Sequence, residues 1–129
     1  DLARVDSIGR ELSKDVDLDR VLDGLMRVLT EELGLAGAEL WLVDLRETGV
    51  EIEVPVSAPL RPMRQAGAIA GPPLRRHPLA SAGRSLGELV VWGHPGRAQD
   101  AATPLLELLV PWIALAIDNA LTYARLERY

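Results

Sequence analysis

The sequence predicts an α+β fold: a central antiparallel sheet with N- and C-terminal helices packed on one face. Three observations predict it. The first third repeats apolar residues at helical spacing, in two stretches. The middle alternates apolar and polar residues in pairs of short runs. The last 27 residues, 103–129, form one long apolar segment that opens on Thr103 and Pro104. Segregated helices around hairpins indicate α+β, not alternating α/β units.

The first helix is expected over 1–14, where Leu2, Val5, Ile8 and Leu12 make a narrow stripe. Such a stripe suits a helix–helix seam. Asp17 is a good N-cap for a second helix over 18–33. Its stripe is broad: Val21, Leu22, Leu25, Met26, Val28, Leu29 and Leu33, closed by Gly34. Arg20, Asp23, Arg27, Glu31 and Glu32 fall on its solvated side.

Residues 38–44 read as a strand that is apolar on both faces, hence central. Leu40 and Leu42 point one way, and Glu39, Trp41 and Val43 the other. A turn over Leu45–Gly49 and a strand over 50–56 complete a first hairpin. Residues 57–75 contain Pro59, Pro62, Pro72, Pro73, Gly67 and Gly71, and read as an irregular insert in which Met63 to Ala70 can form a short strand or a single helical turn. Strands follow over 76–81 and 85–92, joined by a tight turn at Ala82-Gly83-Arg84. On the last strand Leu86, Glu88, Val90 and Trp92 share one face.

From Pro104 to Ile117 the only charged side chain is Glu107. A helix apolar nearly all round must be covered on more than one side. Over 103–129 it would reach roughly 40 Å. One face is expected on the domain and another on a second copy of the chain. Pro111 is expected to kink or bulge it near Glu107. The predicted dimer seam is Leu2, Val5 and Leu12 from the first helix, with Leu109, Ile113, Ile117 and Leu121 from the last.

Composition narrows the function classes. The 129 residues make one domain with a real core. Without cysteine the chain has no disulfide, thiolate metal site or cysteine nucleophile. No signal peptide and no run of eighteen apolar residues is present, so membrane contact by this segment is not expected. A cytoplasmic protein is expected. Position 1 is not Met and both ends look helical, which reads as a segment of a longer protein. The net charge of −5 argues against nucleic acid as the main partner. Charge is uneven: residues 1–56 carry fourteen acids and six bases, whereas residues 57–97 carry six arginines and only Glu88. That basic middle leaves a small anion or an acidic partner open.

Three stretches carry a resemblance to the GAF family. DLDRVLDGLMRVLTEELGLAGAELWLVD resembles the family's opening helix and first strand. HPLASAGRSLGELVVWG is similar to its closing hairpin, and LLELLVPWIALAIDNALTYARL to its C-terminal helix. The resemblance implies a sheet of about five or six antiparallel strands, with first and last helices on one face and often paired in a parallel dimer. It implies a small-molecule pocket on the opposite face and an output domain downstream, such as a histidine kinase, phosphatase or cyclase. The sequence departs from the family's ligand binders. The insert is short, the cyclic-nucleotide motif is absent, and so are the cysteines of the bilin-binding and methionine-sulfoxide-reductase members.

The candidate pocket residues are Glu39, Trp41, Glu88, Val90 and Trp92. Two indoles and two carboxylates on one face suit an organic cation. The preferred expectation is that Leu60, Met63 and Ile69 of the insert fill that face. His77 and His94 sit by prolines at strand ends, where solvated histidines are common, and no metal or cofactor is expected. Arg61, Arg64, Arg75 and Arg76 lack the glycine-rich loop of a phosphate cradle. Ser81 and Ser85 have no paired base, so no catalytic residue is expected. The leading expectation is a regulatory and dimerisation module of a bacterial sensor histidine kinase in a two-component system. The alternatives are a small-molecule sensor using Trp41 and Trp92, and the effector domain of a transcription regulator.

Overall fold

In the computed structural model, residues 2–43, 59–95 and 102–127 are described. The expected turn at 45–49 and strand at 50–56 lie outside them. Helix α1 spans Leu2–Ser13. Asp17 caps α2, Leu18–Arg27, its carboxylate accepting from the Asp19 amide at 3.0 Å. The helix does not stay α-helical to Leu33. It passes into one π turn, Val28–Glu32, closed by the Leu33 amide bonding the Val28 carbonyl at 3.0 Å. Gly34 then takes φ +71°, and the Leu35 amide reaches back to the Leu29 carbonyl. A left-handed residue here satisfies the helix's last carbonyls, and glycine adopts it without a Cβ clash.

Four described strands form one antiparallel sheet in the order β2-β1-β4-β3. They are β1 (Gly37–Val43), β2 (Leu60–Gly67), β3 (Arg75–Ser81) and β4 (Arg84–Trp92). β1 is central, as its two apolar faces require. Ala82 (φ 54°) and Gly83 (φ 77°) join β3 to β4, the pair of positive φ angles that suits a two-residue hairpin.

The insert reading is corrected by β2, which pairs with β1 from Gly37↔Gly67 to Val43↔Leu60. A register shift between Leu40 and Trp41 breaks its alternation, and its position at the edge of the described strands tolerates Pro62. A second shift, between Leu79 and Ala80, leaves Leu86 as the extra residue of β4. Leu86 therefore joins the helix-side core, away from the expected face with Glu88.

Helix α3 runs from Ala102 to Glu127 without interruption through Pro111, so the expected bulge near Glu107 is not seen. Its inner residues Leu106, Leu109, Ile113 and Ile117 are buried with Leu22, Leu25 and Leu29 of the α2 segment and with Leu40, Leu79 and Leu89 of the sheet. Gly9 lets α1 lie close to α3, because a Cβ there would run into the Trp112 ring. Ion pairs stitch the layers together. Arg64 of β2 pairs with Asp19 and Asp23 of α2, Arg75 of β3 with Glu107 at 3.2 Å, and Arg84 of β4 with Asp118 at 2.7 Å. By length and composition α3 is apolar enough over Thr103–Leu126 to cross a membrane, which the count of unbroken apolar residues had not suggested.

Candidate functional site

The outer face of the sheet collects the five candidate pocket residues. Trp41 stands opposite Glu88, Glu39 opposite Val90, and Gly37 opposite Trp92. In an antiparallel pair, directly opposed residues share a face. The phase read from the sequence therefore brings the two carboxylates and two indoles to one side. Their partners follow from the same register. Trp41 Nε1 donates to Glu39 Oε1 at 2.7 Å, two residues along the same strand. Arg76 Nη1 donates to Glu88 Oε1 at 3.0 Å from the neighbouring strand. Val90 is fully buried between them and Trp92 is nearly so.

Trp92 is held by the connection from β2 to β3. These strands lie at opposite edges, so residues 68–74 must cross the end of the sheet. The Ala68 amide bonds the Ala36 carbonyl at 2.8 Å, Trp92 Nε1 donates to the Gly71 carbonyl at 3.0 Å, and the Leu74 amide bonds Val91 at 2.7 Å. Gly37 and Gly67 permit this crossing, since a Cβ on either would collide with backbone of Ala68 or Ala36. Trp92 thus anchors a strap, a role the sequence did not disclose. The insert does not fill the face as expected. Met63 turns to the helix-side core, Leu60 is exposed, and Ile69 is half-buried in the strap.

The basic middle of the chain is largely neutralised within the fold. Arg64, Arg75, Arg76 and Arg84 each meet a carboxylate. Asp19 and Asp23 raise the Arg64 guanidinium above its ordinary range. His77 is not solvated as expected. It stands opposite Leu89 on the helix side of β3, is 8% exposed, and its Nε2 has no hydrogen-bond partner. Burial, then the neighbouring Arg75, push its pKa down, with Glu107 opposing. His94 is exposed. Among the described residues, no three acids or histidines are grouped as metal ligands would be.

The predicted seam is also corrected. Val5, Leu12, Leu109, Ile113 and Ile117 are buried in the protomer's own core, and Leu121 packs against it. Only Leu2 of that set is exposed, at 76%. The apolar residues that α3 leaves open are Leu108, Leu115, Tyr123 and Leu126. At 100° per residue they lie within about 60° of one line along the helix. The periodicity from Leu108 to Leu115 was visible in the sequence. What was missing was which arc of a nearly all-apolar helix the sheet would take.

The architecture is similar to two solved structures. One is the GAF domain of an Acinetobacter phosphoenolpyruvate-protein phosphotransferase, with a TM-score of 0.66 at 15% identity over 94% of each chain. The other is the free methionine-R-sulfoxide reductase of Neisseria meningitidis with its substrate, with a TM-score of 0.63 at 17% identity over 92% of this chain and 89% of that one. No family profile and no curated protein matches the sequence. The chain has a GAF-like fold. That fold serves both a domain of a phosphotransferase and a reductase, so function must be argued from side chains.

Proposed function

We propose that this chain is a non-catalytic regulatory module that dimerises and signals through α3. The observation that carries this reading is the division of α3 into two apolar arcs. One is buried under the sheet, and the other presents Leu108, Leu115, Tyr123 and Leu126 to solvent. A second copy of the same helix is the occupant that an apolar, self-complementary stripe fits best. Beyond Ala120, the last fully buried residue, the helix continues to Glu127. A rotation or shift of the core-packed part would be carried along that rigid extension to an output domain, for which a histidine kinase of a bacterial two-component system is our choice. The packed inner arc and the Arg84–Asp118 pair favour a helix that stays with a cytosolic domain over one that enters a bilayer. Cysteine-free, the chain has no thiol for a reductase chemistry. Leu115→Glu should convert the dimer to a folded monomer in sedimentation equilibrium. An unchanged mass would refute the seam.

A second reading, a small-molecule sensor, is favoured by one observation. Trp41 is half-buried beside two carboxylates whose ion-pair and hydrogen-bond partners leave oxygens unused. A ligand there would raise the melting temperature by mass action, and Trp41→Ala would remove the rise.

A further inference from the structure

A second site lies on the helix side of the sheet, where α3 passes the β3–β4 turn. Arg84, Ser85 and Leu86 of β4 and Val43 of β1 face Asp118, Leu121, Thr122 and Arg125 across a cavity of about 20 Å³. The four α3 residues are spaced i, i+3, i+4 and i+7, so they share one helix face. Such a volume admits one water-sized group. Polar chemistry in the lining is one-sided. Arg84, Arg125, Ser85 and Thr122 can all donate, and Asp118 is the single acidic group.

Asp118 is 13% exposed in its side chain and already accepts from Arg84 Nη2 at 2.7 Å. A guanidinium carries five N–H donors, so that single bond leaves most of the Arg84 fork unused. Arg125 forms no ion pair among the described residues. Among the described lining residues the balance is therefore two cations against one anion, in a chain whose net charge is −5.

We propose that this niche binds a small oxyanion. One oxygen of a phosphate or carboxylate group enters between Arg84 and Arg125, and the remaining oxygens face the opening. The hydroxyls of Ser85 and Thr122 donate from either side. Charge-assisted bonds of this kind are the stronger class and favour arginine. Because the oxyanion shares Arg84 with the Asp118 carboxylate and repels it, its arrival weakens one of the ion pairs between α3 and the sheet. The site is separate from the outer face of the sheet and does not require the dimer.

The test is titration of the chain with inorganic phosphate, and separately with acetate, at constant ionic strength, followed by NMR of backbone amides and arginine side chains. Saturable shifts centred on Arg84, Ser85, Thr122 and Arg125 are expected. Saturation with phosphate alone identifies a phosphoryl group as the ligand chemistry, and saturation with both identifies oxyanions generally. Arg125→Gln, at a half-exposed position, should keep the fold and weaken binding at least about tenfold. Asp118→Asn should tighten binding by removing the competing charge. Shifts that do not saturate with either anion, or that persist unchanged in Arg125→Gln, would overturn the proposal.

Discussion

His77 carries a cost that depends on pH. The folded protein buries its imidazole on the helix side of β3, with Nε2 unpaired, and holds its pKa below the ordinary 6.5. The charged groups facing it are Arg75 on its own strand and Glu107 on α3. A base depressed in the folded state is neutral there, while the unfolded chain still takes up the proton. Stability is therefore fully present above about pH 6.5 and is lost as pH falls from there toward the folded pKa. Urea midpoints should drop as pH falls below about 6.5, and His77→Leu should flatten that slope, because it removes the titrating group and leaves no buried donor or acceptor unpaired. An equal slope in the variant would place the acid sensitivity elsewhere. Gly9 gives a second prediction in which two effects oppose. Alanine gains up to about 1 kcal/mol of helix propensity. Its Cβ meets the Trp112 ring, and overpacking of this kind costs about 1–3 kcal/mol. Gly9→Ala should therefore destabilise, and a smaller ring-free residue at 112 should recover part of the loss in a double-mutant cycle.

The elements read best from sequence were those with unbroken periodicity. The α2 stripe from Leu22 to Leu29 and the double-apolar β1 run from Leu40 to Val43 fold as their patterns require. β2 was legible only as one option over Met63 to Ala70, because a register shift beside Pro62 and Met63 destroys its alternation, and because its pairing partner is distant in sequence. The π turn at Val28–Glu32 was equally hidden, since its side chains continue the helical stripe. Trp92 looked like a ligand platform because the strap that covers it makes its contacts through backbone, at Gly71. Trp92→Phe deletes that bond and also the pyrrole half of a buried indole, so chemical denaturation should show a loss larger than the about 0.5–1.5 kcal/mol of the bond alone. The α3 helix separates buried from free positions most clearly. Ile113→Glu places a carboxylate at a 2%-exposed site and should cost more than about 3 kcal/mol, unfolding the protomer. Leu115→Glu, at a 46%-exposed site, should leave the unfolding free energy of the monomer within about 0.5 kcal/mol.

For the whole molecule, the order of elements was enough to give the α+β class and the helices on one side of the sheet. It could not say which side chains would be left over once the layers closed. Val5, Leu109 and Ile117 looked like seam residues because a narrow stripe on α1 and an all-apolar α3 both seek a partner, and each found the other within the protomer. What remains outside is the Leu108–Leu126 stripe, on which the regulatory reading rests. The chain contains no cysteine, so single cysteines introduced on α3 report proximity without background. The most direct measurement is oxidative crosslinking of Leu115→Cys and Ile113→Cys proteins, resolved on a non-reducing gel. A parallel pairing of α3 along its outer arc predicts a disulfide-linked dimer for Leu115→Cys and none for Ile113→Cys. Monomeric Leu115→Cys protein, with or without crosslinking at 113, would contradict it.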